Sequence, residues 1–151
     1  MVDDEPVVVD AFDLAEPVDI RKNLPPEFHE WIGSTKWKER KDALDALLTN
    51  AKVPRIKEEN YSDIMGILAK SMKDANIVVV TATAQCVEAI ARGLRKPFGQ
   101  YKQLVMMPMV EKLKERKPAV VDALSNALDG VFSAVCILFI CLTEGRVDRC
   151  P

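Results

Sequence analysis

Few residues of this chain have the types and spacing that catalytic chemistry would need. The 151 residues include one histidine, His29, and four cysteines, and no Cys-x-x-Cys pair occurs. A zinc site needs such ligands at short, regular spacing, so we expect neither a metal centre nor a bound cofactor. The sequence offers His29 no nucleophile at a recognisable spacing, and it contains no glycine-rich phosphate loop. These features argue against an enzyme.

The residues that stand out are typical of a surface that binds another protein. In the segment 34–48, STKWKERKDALDALL, Trp37 lies among Lys36, Lys38 and Arg40. Large aromatic side chains surrounded by cations are common in the energetic centres of protein interfaces. From spacing alone, a half-buried packing role for this tryptophan is equally compatible with the sequence. The segment therefore predicts either an interface anchor or a packing residue at the start of a helix.

Charge is distributed unevenly along the chain. There are 21 basic and 23 acidic residues, but residues 1–20 contain seven of the acids and no base. Residues 21–151 therefore carry a net charge of +5, which suits an acidic partner. We interpret residues 1–24 as an acidic N-terminal arm. Nucleic acid is an alternative partner, although a phosphate-binding surface usually has a denser positive charge.

Apolar residues recur at helical spacing in three places. Near residues 25–52, 60–94 and 100–135, a shorter helix is followed by a polar turn and then by a longer helix. The β-branched run at residues 77–81 alone would favour a strand, but the alanine-rich sequence that continues it favours a helix. Trp31 lies on the apolar face of the first short helix, so we expect it in the core.

The turns within these helix pairs recur at a regular interval. They are centred near Trp37, Asn76 and Lys117, which are 39 and 41 residues apart. Ser34 or Thr35 is expected to cap the helix after the first turn. A period near 40 residues made of antiparallel helix pairs is typical of HEAT or armadillo repeats. We therefore predict an all-α HEAT-repeat solenoid whose turns lie along one edge. A HEAT scaffold for another acidic protein would show the same pattern.

Four segments resemble the TOG (tumour-overexpressed-gene) domains of the microtubule polymerases, a HEAT-type family related to the Minispindles and CLASP proteins. The segments are TKWKERKDALDALL (35–48), KDANIVVV (73–80), GLRKPFGQY (93–101) and EKLKERKPAVVDAL (111–124). The leader at residues 9–32 is similar to the one that precedes the second TOG domain of the vertebrate polymerase. The resemblance covers residues 9–134 and includes all three turns.

The resemblance implies a non-catalytic module that binds αβ-tubulin through its turns and promotes microtubule growth at plus ends. In the family, the first-turn tryptophan packs on β-tubulin, and Trp37 takes that place here. The second turn adds a small polar and a β-branched residue, and the third adds a basic residue. The expected tubulin-binding residues are Trp37, Lys36, Lys38, Arg40, Lys73, Asn76, Ile77, Arg116 and Lys117. The implied location is the cytoplasm and cytoskeleton, at the spindle, the centrosome and the kinetochore.

The resemblance extends over half of a TOG domain. TOG domains have six repeats, of which the last three contact α-tubulin, whereas this chain has three. We expect residues 25–135 to form a partial TOG domain and residues 136–151 to form a divergent hydrophobic tail. The uncharged run at residues 130–143 is shorter than the roughly 18–20 residues that span a bilayer, so we expect no membrane partner. A monomer is expected, and the resemblance leaves open whether three repeats bind tubulin on their own.

Overall fold

The described part of the chain is helical. The computed structural model describes residues 9–143, with side chains up to residue 135. Within this part there is no strand, although Val18 and Ile56 form an isolated parallel bridge. The prediction of an all-α protein is confirmed. The helices are α1 (Ala11–Leu14), α2 (Phe28–Ile32), α3 (Trp37–Ala51), α4 (Ser62–Ser71), α5 (Ile77–Leu94), a 3-10 helix (Lys96–Tyr101), α6 (Lys102–Leu113) and α7 (Pro118–Thr143).

The helices pack as three successive pairs in two layers. Helix α2 packs against α3, α4 against α5, and α6 against α7. The longer helices stack in the order α3, α5, α7, and the shorter helices α4 and α6 also pack against each other. Helix α5 lies in the middle and contacts a neighbour on each side. This arrangement matches the three helix pairs that the apolar spacing predicts.

One continuous core joins the three pairs. Leu47 of α3, Met65 of α4, Ile90 of α5, Met109 of α6 and Leu124 of α7 are all completely buried. Burial of each such side chain contributes roughly 1.5–3 kcal/mol relative to its exposure to water. Because a single helix pair cannot enclose an apolar face, the pairs depend on stacking for their stability.

Helix α5 confirms that the β-branched run at residues 77–81 is helical. The helix begins after Asn76, whose Oδ1 accepts a hydrogen bond of 2.9 Å from the backbone N of Val78. Among the described residues, α5 is the one helix that is long and apolar enough to cross a membrane, with a mean hydropathy of 1.4. However, 61% of this helix is buried inside the fold. Its apolar character follows from packing against helices on both sides.

Residues 9–24 of the acidic arm lie against the edge where α3 ends and α4 begins. The backbone N of Val18 donates to the carbonyl of Arg55 at 3.1 Å, and the backbone N of Lys57 donates to the carbonyl of Val18 at 2.8 Å. Ile20 is completely buried. The arm therefore contributes an apolar side chain to the core, in addition to its negative charge.

One local expectation differs from the structure at a helix end. Lys36, and neither Ser34 nor Thr35, is the N-cap residue of α3, and it forms no side-chain cap hydrogen bond. The Ser34 hydroxyl instead accepts a hydrogen bond of 3.1 Å from the backbone N of Lys36, a local turn that competes with capping. At the other end of the fold, α7 continues to Thr143, beyond residue 135 where the sequence predicts the tail. Residues 144–151 lie outside the described part.

Candidate protein-binding site

The three turns inside the helix pairs lie side by side along one edge of the solenoid. We call this surface the turn edge and define it by residues 34–40, 72–77 and 112–118. Hydrogen bonds join the first turn to the second and the second to the third. The opposite edge carries the acidic arm and the connections between the pairs. The fold therefore brings the three predicted corners together on one surface.

Asp74 connects the first turn to the second. Its Oδ2 accepts a hydrogen bond of 2.8 Å from Arg40 Nε, and its Oδ1 accepts one of 3.1 Å from Arg40 Nη2. Arg40 Nη1 also donates to the carbonyls of Ser34 and Thr35, both at 2.9 Å. In addition, Asp74 Oδ1 accepts from the backbone N of Asn76 at 2.8 Å. Such bidentate arginine–carboxylate pairs are stronger and more directional than ordinary surface ion pairs.

Lys112 connects the second turn to the third. Its Nζ donates to the backbone carbonyl of Asp74 at 2.9 Å and lies 2.7 Å from Glu115 Oε1. The hydrogen bond from Lys112 holds the pKa of the Glu115 carboxyl below its usual value. We call Arg40, Asp74 and Lys112 together the Asp74 network. Each of its members comes from a different helix pair, so the network crosses the whole turn edge.

Trp37 presents its indole at the turn edge. It is the first residue of α3, so it belongs to the first helical turn, and it is 39% exposed. Lys38 Nζ lies 5.9 Å from the centre of its ring. The Lys36 side chain is 76% exposed and lies 2.8 Å from Glu39 Oε1, a hydrogen bond that raises the pKa of Lys36 and lowers that of Glu39. An accessible indole beside cations is therefore available to a partner.

The second turn offers one exposed cation and two residues with structural roles. Lys73 is exposed. Asn76 is half-buried and caps α5, and Ile77 is half-buried and packs against the core. Val78 is 41% exposed and lies next to them at the start of α5.

The third turn carries three exposed cations. Lys114, Arg116 and Lys117 are all exposed, and Lys117 Nζ lies 3.9 Å from Glu115 Oε2. Arg116 has a φ of 53°, in the left-handed region that residues other than glycine seldom occupy. This backbone conformation reverses the chain just before α7 begins at Pro118.

Comparison with known proteins decides the family. No protein-family model matches the chain. The spindle pole body component alp14 of Schizosaccharomyces pombe is 42% identical over 125 residues, which are 82% of this chain and 16% of that protein. The protein mini spindles of Drosophila melanogaster is 35% identical over 130 residues, 83% of this chain and 6% of that protein.

A solved structure shares the fold. It comes from work on tubulin recruitment and assembly by microtubule polymerases with TOG domain arrays, and it matches with a TM-score of 0.78 and 35% identity. The match covers 95% of this chain and 30% of that one. The chain belongs to the TOG domains of the microtubule polymerase family. The predicted resemblance and the HEAT-repeat solenoid are thus confirmed. The chain spans a small part of the curated relatives, 16% of alp14 and 6% of mini spindles.

The nine residues that the sequence selects all lie on the turn edge of this TOG chain, but they differ in availability. The exposed members are Trp37, Lys36, Lys38, Lys73, Arg116 and Lys117. Arg40 is occupied by Asp74 and by backbone carbonyls, Asn76 caps a helix, and Ile77 packs on the core.

Neither Asp74 nor Lys112 is among the residues that the sequence predicts for this site. A single acid in the turn KDAN, between basic turns on either side, was the available signal for Asp74. Lys112 had no such signal, because it is one of several lysines in the sequence EKLKERK. Its role depends on a contact with a residue 38 positions earlier.

The opposite edge of the TOG chain is held by a separate set of contacts. Arg21 Nη2 lies 2.6 Å from Asp63 Oδ1, and the Arg21 guanidinium lies 5.1 Å from the centre of the Tyr61 ring. Arg95 similarly joins Asp10 of the arm at 2.6 Å. Among the described side chains, no group of three or more histidines, cysteines or carboxylates is placed to hold a metal ion.

Proposed function

We propose that this chain is a tubulin-binding module that contacts αβ-tubulin through its turn edge, without catalysis. The single observation that carries the proposal is the exposed indole of Trp37 on the same edge as the two other basic turns, in a chain of the TOG family. Aromatic anchors of this kind supply most of the binding energy in many protein interfaces. The name of the matched solved structure, which refers to tubulin recruitment, supports the same partner.

The exposed cations of the turn edge give the site its preference for an acidic partner. They come from all three turns and are Lys36, Lys38, Lys73, Lys114, Arg116 and Lys117. Exposed charges of this type mainly accelerate and orient encounter, and their effect falls as salt is added. Arg40 and Lys112 contribute less to this field, because they are only 20% and 12% exposed and are paired with carboxylates of the chain itself.

The assignment of the contact to one tubulin subunit follows the order of the repeats. We propose that Trp37 packs on β-tubulin and that the three helix pairs make the β-tubulin half of one tubulin contact. Residues 25–135 would be the binding unit, with the acidic arm at residues 1–24 before it and the tail at residues 136–151 after it. In this proposal the chain acts as a monomer.

We further propose a role at microtubule plus ends, in microtubule growth and spindle organisation. The names of three relatives, a spindle pole body component, mini spindles and centrosomal protein 224, support a location at the spindle and the centrosome within the cytoskeleton. Kinetochore association is a further part of this proposal.

The test compares Trp37→Ala with Phe132→Ala for binding to purified αβ-tubulin. Phe132 is a suitable control because it is also an exposed aromatic, 50% exposed on α7. Its position fourteen residues after the start of that helix places it about 21 Å along the helix from the turn edge. We expect Trp37→Ala to weaken binding by at least about tenfold, since hot-spot truncations cost roughly 2 kcal/mol or more. We expect Phe132→Ala to bind as the unmodified chain does.

Affinity is measured by fluorescence anisotropy at several salt concentrations and checked by co-elution on size exclusion, and circular dichroism confirms the helical fold of each variant. Duplex DNA at the same salt concentrations serves as a competitor of a different class. Binding of Trp37→Ala at unchanged affinity would contradict the proposal. So would an equal loss in both variants, an unmodified chain that does not bind tubulin, or tighter binding to DNA.

A further inference from the structure

We propose that Asp74 is a positioning residue that fixes the three turns relative to one another so that they can bind one surface of tubulin together. This inference rests on the proposed function of the turn edge. It assigns Asp74 no contact with tubulin. Arg40 is then also a positioning residue, and not one of the residues that contact tubulin.

The Asp74 network joins residues that are far apart in the sequence. Arg40 reaches Asp74 across 34 positions of sequence, and Lys112 reaches it across 38. The side-chain carboxylate of Asp74 holds the first turn, and its backbone carbonyl holds the third. Asp74 therefore connects the turn that carries Trp37 to the basic third turn.

The side chains of the Asp74 network are largely buried. The side chains of Arg40, Asp74 and Lys112 are 20%, 11% and 12% exposed. By comparison, the Lys36 side chain on the same edge is 76% exposed. Little of the network is therefore accessible to a partner, and its polar groups are satisfied within the chain. Groups of this kind affect binding through the positions of their neighbours.

One substitution removes the pairing between Asp74 and Arg40 and leaves the neighbouring hydrogen bonds in place. In Asp74→Asn, the side-chain oxygen can still accept the hydrogen bond from the Asn76 backbone N, so the start of α5 is retained. Arg40 also keeps its bonds to the carbonyls of Ser34 and Thr35, so the first turn keeps its local shape. What is lost is the charged, bidentate link between the first and second turns. The first turn and its indole can then move relative to the other turns.

The experiment measures tubulin affinity for the unmodified chain, Asp74→Asn, Arg40→Gln and the double variant. Asp63→Asn is the matched control, since it removes an arginine partner, Arg21, on the opposite edge. We expect Asp74→Asn and Arg40→Gln each to weaken binding about tenfold, and the double variant to bind no more weakly than the poorer single variant. We expect Asp63→Asn to change affinity by less than about twofold.

Hydrogen exchange provides a readout that a purely global loss of stability would not give. In Asp74→Asn, amide exchange should accelerate in residues 34–40 and 73–77 and stay unchanged in the core of α5. All binding is measured at a temperature where circular dichroism shows each variant fully helical. If Asp74→Asn does not reach that state, Arg40→Gln removes the same pair and carries the test.

The failure of this inference is distinguishable from the failure of the proposed function. If Trp37→Ala weakens binding while Asp74→Asn and Arg40→Gln bind normally, the positioning role is overturned and the tubulin site stands. The same conclusion follows if Asp63→Asn weakens binding as much as Asp74→Asn. If the unmodified chain does not bind, or Trp37→Ala binds normally, the proposed function itself is overturned.

Discussion

Two glycines inside helices allow a sharp test of how the connection between α3 and α4 packs against α5. Gly93 lies in α5, and a Cβ added there would be 2.6 Å from both Cδ1 and Cγ1 of Ile56. Ile56 is 3% exposed, and its backbone N donates to the Gly93 carbonyl at 2.9 Å. Gly66 lies in α4, and a Cβ added there meets no atom within 4 Å. The same substitution should therefore have opposite effects at the two positions.

The expected changes in the free energy of unfolding follow from helix propensity and from overpacking. Replacing glycine by alanine in a helix interior contributes about 0.5–1 kcal/mol, so Gly66→Ala should stabilise the chain by about that amount. In Gly93→Ala the same gain is opposed by a forced shift of Ile56, and overpacking of this kind costs about 1–3 kcal/mol. We expect Gly93→Ala to be destabilised by about 1 kcal/mol overall, so the two variants should differ by about 2 kcal/mol.

Equilibrium unfolding in urea, followed by circular dichroism, measures both free energies. The same substitution is repeated in an Ile56→Ala background, which removes the two atoms that would lie 2.6 Å from the new Cβ. In that background Gly93→Ala should become stabilising, like Gly66→Ala. The reasoning is refuted if Gly93→Ala is as stable as Gly66→Ala, or if the Ile56→Ala background leaves its cost unchanged.

Two further predictions concern single groups in the core and at a helix end. Burial raises the pKa of the Tyr61 phenol to about 12, above its ordinary value near 10, so the folded state holds this proton more tightly than the unfolded state does. The free energy of unfolding should therefore fall as pH rises from about 10 towards 12, and it should fall less steeply in Tyr61→Phe. Urea titrations at several pH values measure this slope, and equal slopes in the two proteins would contradict the prediction. Asn76→Ala removes the N-cap of α5 and should cost about 1 kcal/mol, whereas Asn76→Asp should cost only a few tenths. Thermal unfolding of the two variants checks this, and equal midpoints would rule out a capping role.

The helix pairs could be predicted because their signal is local. Apolar residues at helical spacing give the bounds of α3, α4 and α5 to within a few residues, and the period near 40 residues gives the stacking. The strand-like run at residues 77–81 was the main ambiguity. The alanine-rich sequence that follows the run favours a helix, and the structure confirms this prediction. Packing on both sides of α5 favours a long apolar helix.

The contacts that organise the candidate site could not be predicted in the same way. In the sequence, Arg40 is one of several cations around Trp37. The sequence does not show that its guanidinium is paired with a residue 34 positions later. The resemblance implies that Asn76 and Ile77 contact the partner, and the structure adds that Asn76 caps α5 and that Ile77 packs on the core. These distinctions depend on tertiary neighbours, which spacing alone does not specify.

The central position of α5 has a consequence for how the chain unfolds. Both outer helix pairs bury part of their apolar surface against this one helix, so melting it would expose both of them to water at once. In long repeat arrays the ends can fray independently, because each unit touches only its nearest neighbours. Here every pair is either the middle one or directly next to it, so the described helices should lose their structure in a single cooperative step.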